Sequence, residues 1–425
     1  MADVEIRPVR GRLARRVFVD VPFRIHGGDP GWIPPLRMSV HDRISPGHPA
    51  MAHQEVALWV AYRWGRPVGR VAACVDRSFN EYQGVKWGWV GFYDVFDDPE
   101  ASDALFDTAC RWAAARGMDT CVGPANFTTN DELGLLVEGF DELPALLTLQ
   151  NPRYQVDLWE RAGWEPAMDL WAWHFEKGGT SLSERQRRTL DRIQTRAKVR
   201  VRSMDISDFD NEVGKFFEVY NAAWSHNWGF APMPEPEIRH LAKQLKQILN
   251  PQWAFGLETL DEGKLVGVCL ALPDMNIPMQ RVRSGRLLPT GWIPLLRQRK
   301  KLSHARVWAL GIRPDHQHLA LGPLLYREIV DRLAADPHIR TAEASWTLAS
   351  NHRINDQLEA MGAQRSKVWR LYPHASRPRP EGPAGAPRTR PLSAEPDRRC
   401  PDAARPGPRR SRRGRRRCRP RCGSP

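Results

Sequence analysis

Trp308-Ala-Leu-Gly-Ile-Arg-Pro-Asp-His-Gln-His-Leu-Ala-Leu-Gly-Pro-Leu-Leu-Tyr326 is the stretch on which the fold turns. Residues 306–312 read as a strand, Pro314 ends it, a tight loop with small residues at Ala320 and Gly322 follows, and a helix runs over 322–335. Small residues let the backbone approach a ligand closely, and the helix behind them aims its free N–H groups and positive dipole end into the loop. Pro323 in the first helical turn removes no bonded donor, so the remaining N–H groups stay available to an anion such as a pyrophosphate. The same spacing also occurs in ordinary strand-to-helix loops, and small residues alone do not separate the two readings.

Working outward, a strand over 341–348, a helix over about 351–361 and a strand over 366–372 follow this segment. Before it lie a strand over 199–204, helices over 209–224 and 237–249, and a hairpin, 253–260 with 265–272, around Asp261-Glu-Gly-Lys. The order β-α-α-β-β-β-α-β-α-β predicts a mixed α/β sheet flanked by helices. The first half repeats it in blurred form. Its strands lie at 4–8, 56–62, 68–75, 87–94 and 120–123, its helices at 12–25, 101–116 and 154–162, and a strand over 167–175 closes the pattern. A repeat this long is a duplicated domain and not a solenoid. The expected organisation is a first domain over 1–180, a charged linker helix over 181–198 with Ser183 as N-cap, a second domain over 199–375 and a disordered tail over 376–425.

The formal charge of +14 belongs almost wholly to that tail. Residues 376–425 hold 16 Arg against four acids, a net of +12, which leaves +2 for residues 1–375. With almost no aliphatic residues the tail cannot bury a core. It reads as an anion-binding arm, an unselected extension or the product of a reading-frame slip, and composition does not choose among them. A near-neutral folded part argues against a broad nucleic-acid surface, and so against transfer of an aminoacyl group from tRNA. Cys74, Cys110, Cys121 and Cys269 lack metal-site spacing and are expected as buried thiols; Cys418 and Cys422 have no second ligand pair, so no metal is expected. The N-terminus shows no apolar signal core and no run of about 18 apolar residues occurs, which predicts a cytoplasmic protein without a transmembrane segment.

Gln317-His-Leu-Ala-Leu-Gly resembles the acyl-CoA signature of the GNAT superfamily, (R/Q)-x-x-G-x-(G/A), with Ala320 in place of the first Gly. Leu310-Gly-Ile-Arg-Pro is similar to the family's strand exit, and Asn351-His-Arg-Ile-Asn-Asp-Gln-Leu-Glu-Ala-Met-Gly-Ala to its last helix and turn. The chain as a whole resembles a bacterial group of tandem GNAT-like proteins, on Trp32-Ile-Pro-Pro, Leu136-Val-Glu-Gly-Phe-Asp and Glu343-Ala-Ser-Trp. The resemblance implies tandem GNAT-like domains and an N-acyltransferase that uses acetyl-CoA or another acyl-CoA as co-substrate and a small-molecule or peptide amine as acceptor. It further implies a coenzyme A site built from Leu310, Gly311, Ile312, Gln317, His318, Leu319, Ala320, Leu321 and Gly322. The pantetheine arm would run along residues 344–348, with Asn351 at the mouth. Ala320 is expected to tolerate its place through a negative φ.

The tyrosine with which many relatives protonate the leaving thiolate is replaced by Leu358 here, and by Trp159 in the first half. A non-catalytic acyl-CoA sensor or scaffold is therefore the alternative function. Glu343 is a candidate base, expected at a solvated strand edge; His226 and His304 are others. The first half has no such loop, and its acids at Val95-Phe-Asp-Asp-Pro-Glu would repel a pyrophosphate, so it is read as having lost coenzyme A. Its polar loop offers Asn126, Asn130 and Glu132 to an acceptor amine, to the neighbouring domain, or merely to its own turn. The connection over 281–303 sets Trp292, Ile293, Leu295 and Leu296 beside a basic run, a pattern that suits an acyl-chain cap, a membrane contact or a solvated loop.

Overall fold

The computed structural model describes residues 3–179, 182–298 and 301–375. The expectations for the tail, including Cys418 and Cys422, lie outside them. The first half runs β1 (Glu5–Pro8), α1 (Gly11–Ile25), α2 (Arg37–Arg43), β2 (Gln54–Arg63), β3 (Arg66–Asp76), α3 (Arg77–Gln83), β4 (Trp87–Val95), α4 (Pro99–Ala114), β5 (Thr120–Gly123), β6 (Leu135–Glu138), α5 (Tyr154–Arg161) and β7 (Met168–Glu176). Then come α6 (Glu184–Arg196), β8 (Val199–Ser203), α7 (Phe209–Trp224), α8 (Glu235–Lys246), β9 (Ala254–Thr259) and β10 (Leu265–Pro273). The chain ends with α9 (Asn276–Met279), α10 (Trp292–Gln298), β11 (His304–Ile312), α11 (Gly322–Ala335), β12 (Thr341–Leu348), α12 (His352–Ala360) and β13 (Gln364–Ala375). The α/β order expected for both halves is present; α2, α3, β6 and the short helices α9 and α10 were not foreseen.

The thirteen strands of the described residues form one sheet, ordered β1-β2-β3-β4-β5-β13-β7-β12-β11-β10-β9-β8, with β6 added on β13. The closing strands of the two halves are exchanged. β13, from the end of the chain, pairs antiparallel with β5 through Tyr372↔Gly123, while β7 pairs with β12 through Ala344↔Trp173 and with β13 through Trp369↔Leu170. Alternation assigns the faces of a strand but not its neighbour, which is why residues 167–175 read as the first half's own closure.

Helices cover both faces. α4 packs the first half through Leu105, Phe106 and Ala109 against Tyr93, Trp159 and Trp164. α7 and α8 lay Phe216, Phe217 and Ile238 on one face of the second half, and α11 lays Leu324, Leu325 and Ile329 on the other. α6 begins with a capping box between Ser183 and Gln186, buries Leu190 and is held to α11 by Arg187–Asp331 and Arg327–Asp191, each at 2.8 Å. The linker thus braces the helix behind the proposed phosphate loop. The four described cysteines are free and buried, and none of the described helices is long and apolar enough to cross a membrane.

Trp369 sits on the exchanged β13, 1% exposed, packed in the first half's core, with Nε1 donating to the Leu149 carbonyl at 2.9 Å. Trp369→Ala should cost about 3–5 kcal/mol. Because β13 belongs to both halves, urea unfolding followed by circular dichroism and by tryptophan fluorescence should give coincident transitions; two separated ones would contradict the exchange.

Candidate active site

Each half contains a pair of parallel strands that part company, and the two clefts differ. In the second half, β11 and β12 are paired only from His304↔Thr341 to Val307↔Ala344. Beyond that point only the pairing of β12 with β7, which runs from Thr341 to Leu348, continues, and Trp308 forms a bulge in β11 opposite Leu270 and Ala271 of β10. The strands therefore splay over 308–312 and 345–348. The loop at the open end is a short 3-10 turn, Pro314–Leu319, and α11 starts from Leu321 without any side-chain cap. Its first N–H groups have no side-chain acceptor of their own, which is the state that binds phosphate oxygens.

In the first half, β4 and β5 pair only from Trp87↔Thr120 to Trp89↔Val122, but that splay is filled. Ala125 N–H donates to the Val90 carbonyl at 2.9 Å, and Phe92 N–H to Asn126 Oδ1 at 2.7 Å. A side chain at Gly91 would lie 1.7 Å from the Ala125 carbonyl oxygen, so only glycine permits this closure. The N-terminus of α4 is likewise occupied by its own cap, Asp98, which accepts from Ala101 N–H at 3.1 Å and is held by Arg63 at 2.9 Å. Both positions at which a coenzyme would sit are taken by protein groups.

Residues expected to act alone prove to be linked. Ala320 has φ 55° and ψ 41°, the left-handed conformation, contrary to the negative φ expected; the backward turn into α11 requires it, at a cost of about 1 kcal/mol for a residue with a Cβ. Gly322 has open space where a side chain would point. Gly311 answers a packing demand: a Cβ there would meet the Trp224 ring at 2.4 Å, so it lets α7 lie on β11. Leu310 and Ile312 pack towards α11, Leu321 is fully buried, Gln317 donates to the Ile312 carbonyl at 3.3 Å, and His318 is exposed. Asn351 caps α12, accepting from Ile354 N–H at 3.4 Å. Leu358 is buried with Tyr326 and Ala344.

Glu343 is not at a solvated edge. It lies on the inner strand β12, 2% exposed, bound by Lys367 Nζ at 2.9 Å and by Ser345 Oγ at 2.6 Å. Burial alone would raise its pKa; the Lys367 charge, the Ser345 hydroxyl and Arg306 outweigh that and hold it below the usual value. Arg306, 1% exposed and directly across the ladder from Glu343, donates to Ser345 and to the Leu146 carbonyl. His304 is bonded to Thr341 at 2.7 Å and burial lowers its pKa to about 4; His226 is exposed and bonded to Ser225. Asp274, missed from the sequence, caps the same corner by accepting from Leu146 and Asn276 N–H, each at 3.0 Å, and burial raises it to about 6.

The polar loop that fills the first cleft reaches the second. Thr129 donates to the Gly229 carbonyl at 2.5 Å and Asn130 to that of Ala231 at 3.1 Å, so Asn130 serves the neighbouring half. Asn126 is spent on Phe92 and on Glu132, at 3.3 Å. Glu132 itself is pushed up to about 7, mainly by desolvation, with the Asn126 hydrogen bond opposing the rise, Asp131 adding to it and the charge of Arg306 opposing it more weakly. It is a carboxyl poised near neutrality, a state that no local sequence pattern reveals.

A sheet of tandem splayed-strand halves, one splay filled by its own chain and one open, is the GNAT fold in duplicate. It is shared with the tandem GNAT protein from the clavulanic acid biosynthesis pathway (TM-score 0.53, 14% identity, 88% of this chain and 99% of that one). It is shared too with the glucosamine N-acetyltransferase region of a fungal multi-domain beta-N-acetylglucosaminidase (TM-score 0.53, 13% identity, 88% of this chain and 38% of that one). No family model matches the chain. It is 34% identical over 381 residues to the bacterial ceramide synthase of Caulobacter vibrioides, covering 88% of this chain and 98% of that one. To protein YghO of Escherichia coli it is 33% identical over 365 residues, covering 84% and 92%. The chain belongs to the family of these two proteins.

Glu343→Gln should destabilise the fold by about 3–5 kcal/mol, because it strips the buried Lys367 of its main counter-charge. Thermal unfolding checks this; a variant as stable as the parent would show that Glu142, 3.2 Å from Lys367, suffices.

Proposed function

We propose that residues 199–375 bind an acyl-CoA between β11 and β12 and transfer its acyl group to the primary amine of a long-chain amino alcohol, forming an amide of the ceramide type. The contrast between the open splay with its uncapped α11 and the filled splay of the first half carries the acyl-CoA assignment. The acceptor class rests on the relative named as a bacterial ceramide synthase, which this chain matches over nearly that protein's whole length.

In this reading the amides of His318–Gly322 hold the pyrophosphate, and the pantetheine arm follows residues 344–348 with Asn351 at the mouth. The thioester carbonyl lies at the Trp308 bulge, where backbone N–H groups beyond the last β11–β12 pair stabilise the developing oxyanion. The acceptor arrives as an ammonium. Glu132, ionised, takes one of its protons; the amine nitrogen bonds to the carbonyl carbon, the C–S bond breaks, and the sulfur leaves as thiolate. The second nitrogen proton is lost as the amide forms, and the thiolate is protonated to the free thiol. Glu343, committed to Lys367 and Ser345, positions Arg306 and β12 beneath this corner and is not the base.

Incubation with acetyl- and long-chain acyl-CoA and a panel of amines, followed by free thiol, should show turnover with long-chain amino alcohols. Gly322→Trp fills the open space at the loop and should abolish acyl-CoA binding. Tight binding with no turnover on any amine would favour the sensor reading; no binding would overturn both.

A base must be deprotonated to act, so kcat/KM should rise with pH through about 7, the value to which Glu132 is pushed. Glu132→Gln should lower kcat by about 10²–10⁴-fold and remove that limb of the profile. An unchanged profile would exclude Glu132 as the base.

A further inference from the structure

The connection between β10 and β11 leaves apolar side chains in solvent that nothing in the described chain covers. Leu288 is 75% exposed, Trp292 45% and Leu296 61%. Trp292 and Leu296 stand one turn apart on α10 and share a face. The segment is not loose. Arg37 N–H donates to the Gly285 carbonyl at 3.0 Å, Arg37 Nε to that of Ser284 at 2.7 Å, and Arg283 binds the carbonyls of Trp32, Gly27 and Asp29. Gly285 sits so close to Phe23 that a Cβ would lie 2.5 Å from the ring. The apolar knob is therefore anchored on α1 and α2 of the first half, which add their own exposed apolar groups, Leu13 at 81% and Met38 at 62%.

Positive charge predominates around this knob. From 276 to 298 the chain has four Arg and no acid, and Arg281, Arg286 and Arg297 are exposed with no carboxylate partner among the described residues. α1 contributes Arg12, Arg15 and Arg16 against Asp20, which is already engaged by Arg37. Arg37 feels both Arg286 and Arg16, which further depress a pKa lowered chiefly by burial, so these cations are crowded together and not dispersed. Exposed Trp and Leu inside a ring of unpaired arginines match the headgroup region of an anionic bilayer, where the rings and chains leave water and the guanidinium groups meet phosphates. An acidic protein surface would pair with the arginines but leaves the protruding Leu288 and Leu296 without an apolar counterpart.

We propose that this face, Leu288, Trp292 and Leu296 ringed by Arg281, Arg286 and Arg297, docks the protein peripherally on anionic phospholipid membranes. The inference does not depend on the proposed reaction, since it rests on surface exposure and charge alone.

The test is cosedimentation of the full chain with vesicles of phosphatidylcholine alone or mixed with phosphatidylglycerol. Since the arginine-rich tail is common to every variant, the comparison isolates the knob. The Leu288→Ser/Trp292→Ser/Leu296→Ser variant should partition onto anionic vesicles about tenfold more weakly than the parent chain, and Arg286→Glu/Arg297→Glu should do the same. Both variants should keep the parent's circular dichroism and melting temperature. Anionic vesicle binding that is equal for parent and both variants would assign it to the tail and overturn the proposal, as would a parent chain that binds no vesicle, whether or not the acyltransferase assay succeeds.

Discussion

The Lys367 ammonium reaches past β7 to the Glu343 carboxylate on β12, and the rest of the structure is organised around that span. Lys367 belongs to β13, the strand the second half lends to the first, and Glu343 to the strand that forms one wall of the open cleft. An ion pair so deeply buried returns little net stability, since the desolvation of two charges offsets most of their attraction. What it fixes is register. A one-residue slip of β13 would turn Lys367 to the opposite face and leave the buried Glu343 without its ammonium partner, so one arrangement of the exchanged strands is strongly preferred.

The two halves divide the work between them. In the first, the chain closes its own cleft with residues 124–134 and caps its own α4 with Asp98, so backbone donors that would face a coenzyme are satisfied internally. That closure is useful elsewhere. The same loop is pinned to the segment after α7 by Thr129 and Asn130, and Glu132 on it feels the charge of Arg306 from the second half. A further contact, the Asp42–His240 pair at 2.7 Å with His48 stacked edge-on, ties α2 to α8 and holds the two halves' outer helices together. The filled cleft thus becomes a support for the open one.

The polar corner and the basic knob lie at the two ends of one chain segment. Asp274 ends β10 inside the protein, and within about fifteen residues the chain has emerged as the exposed Leu288, its path braced by Arg283 on three backbone carbonyls. Guanidinium groups that bind carbonyls rather than carboxylates hold the loop without neutralising it, which is why the surface remains both ordered and positive.

By itself the sequence determined the elements and the strand–loop–helix order around residues 306–335. Residues 209–224, 322–335 and 341–348 have periodicities strong enough that the helices α7 and α11 and the strand β12 fall where the pattern puts them, because each depends on local repeats of 3.6 or 2 residues. The charge balance likewise separated a near-neutral folded part from a basic tail. Tertiary structure alone decided the exchange of β7 and β13, the left-handed Ala320, the burial of Glu343 and the closing of the first cleft. Each of these depends on which distant segment becomes a neighbour: Glu343 was read as a solvated edge residue because nothing near it in sequence announces Lys367. Glu132 makes the same point, since its proton affinity is raised by burial and opposed in part by the charge of Arg306, more than 170 positions away, and alternation or spacing carries no record of either.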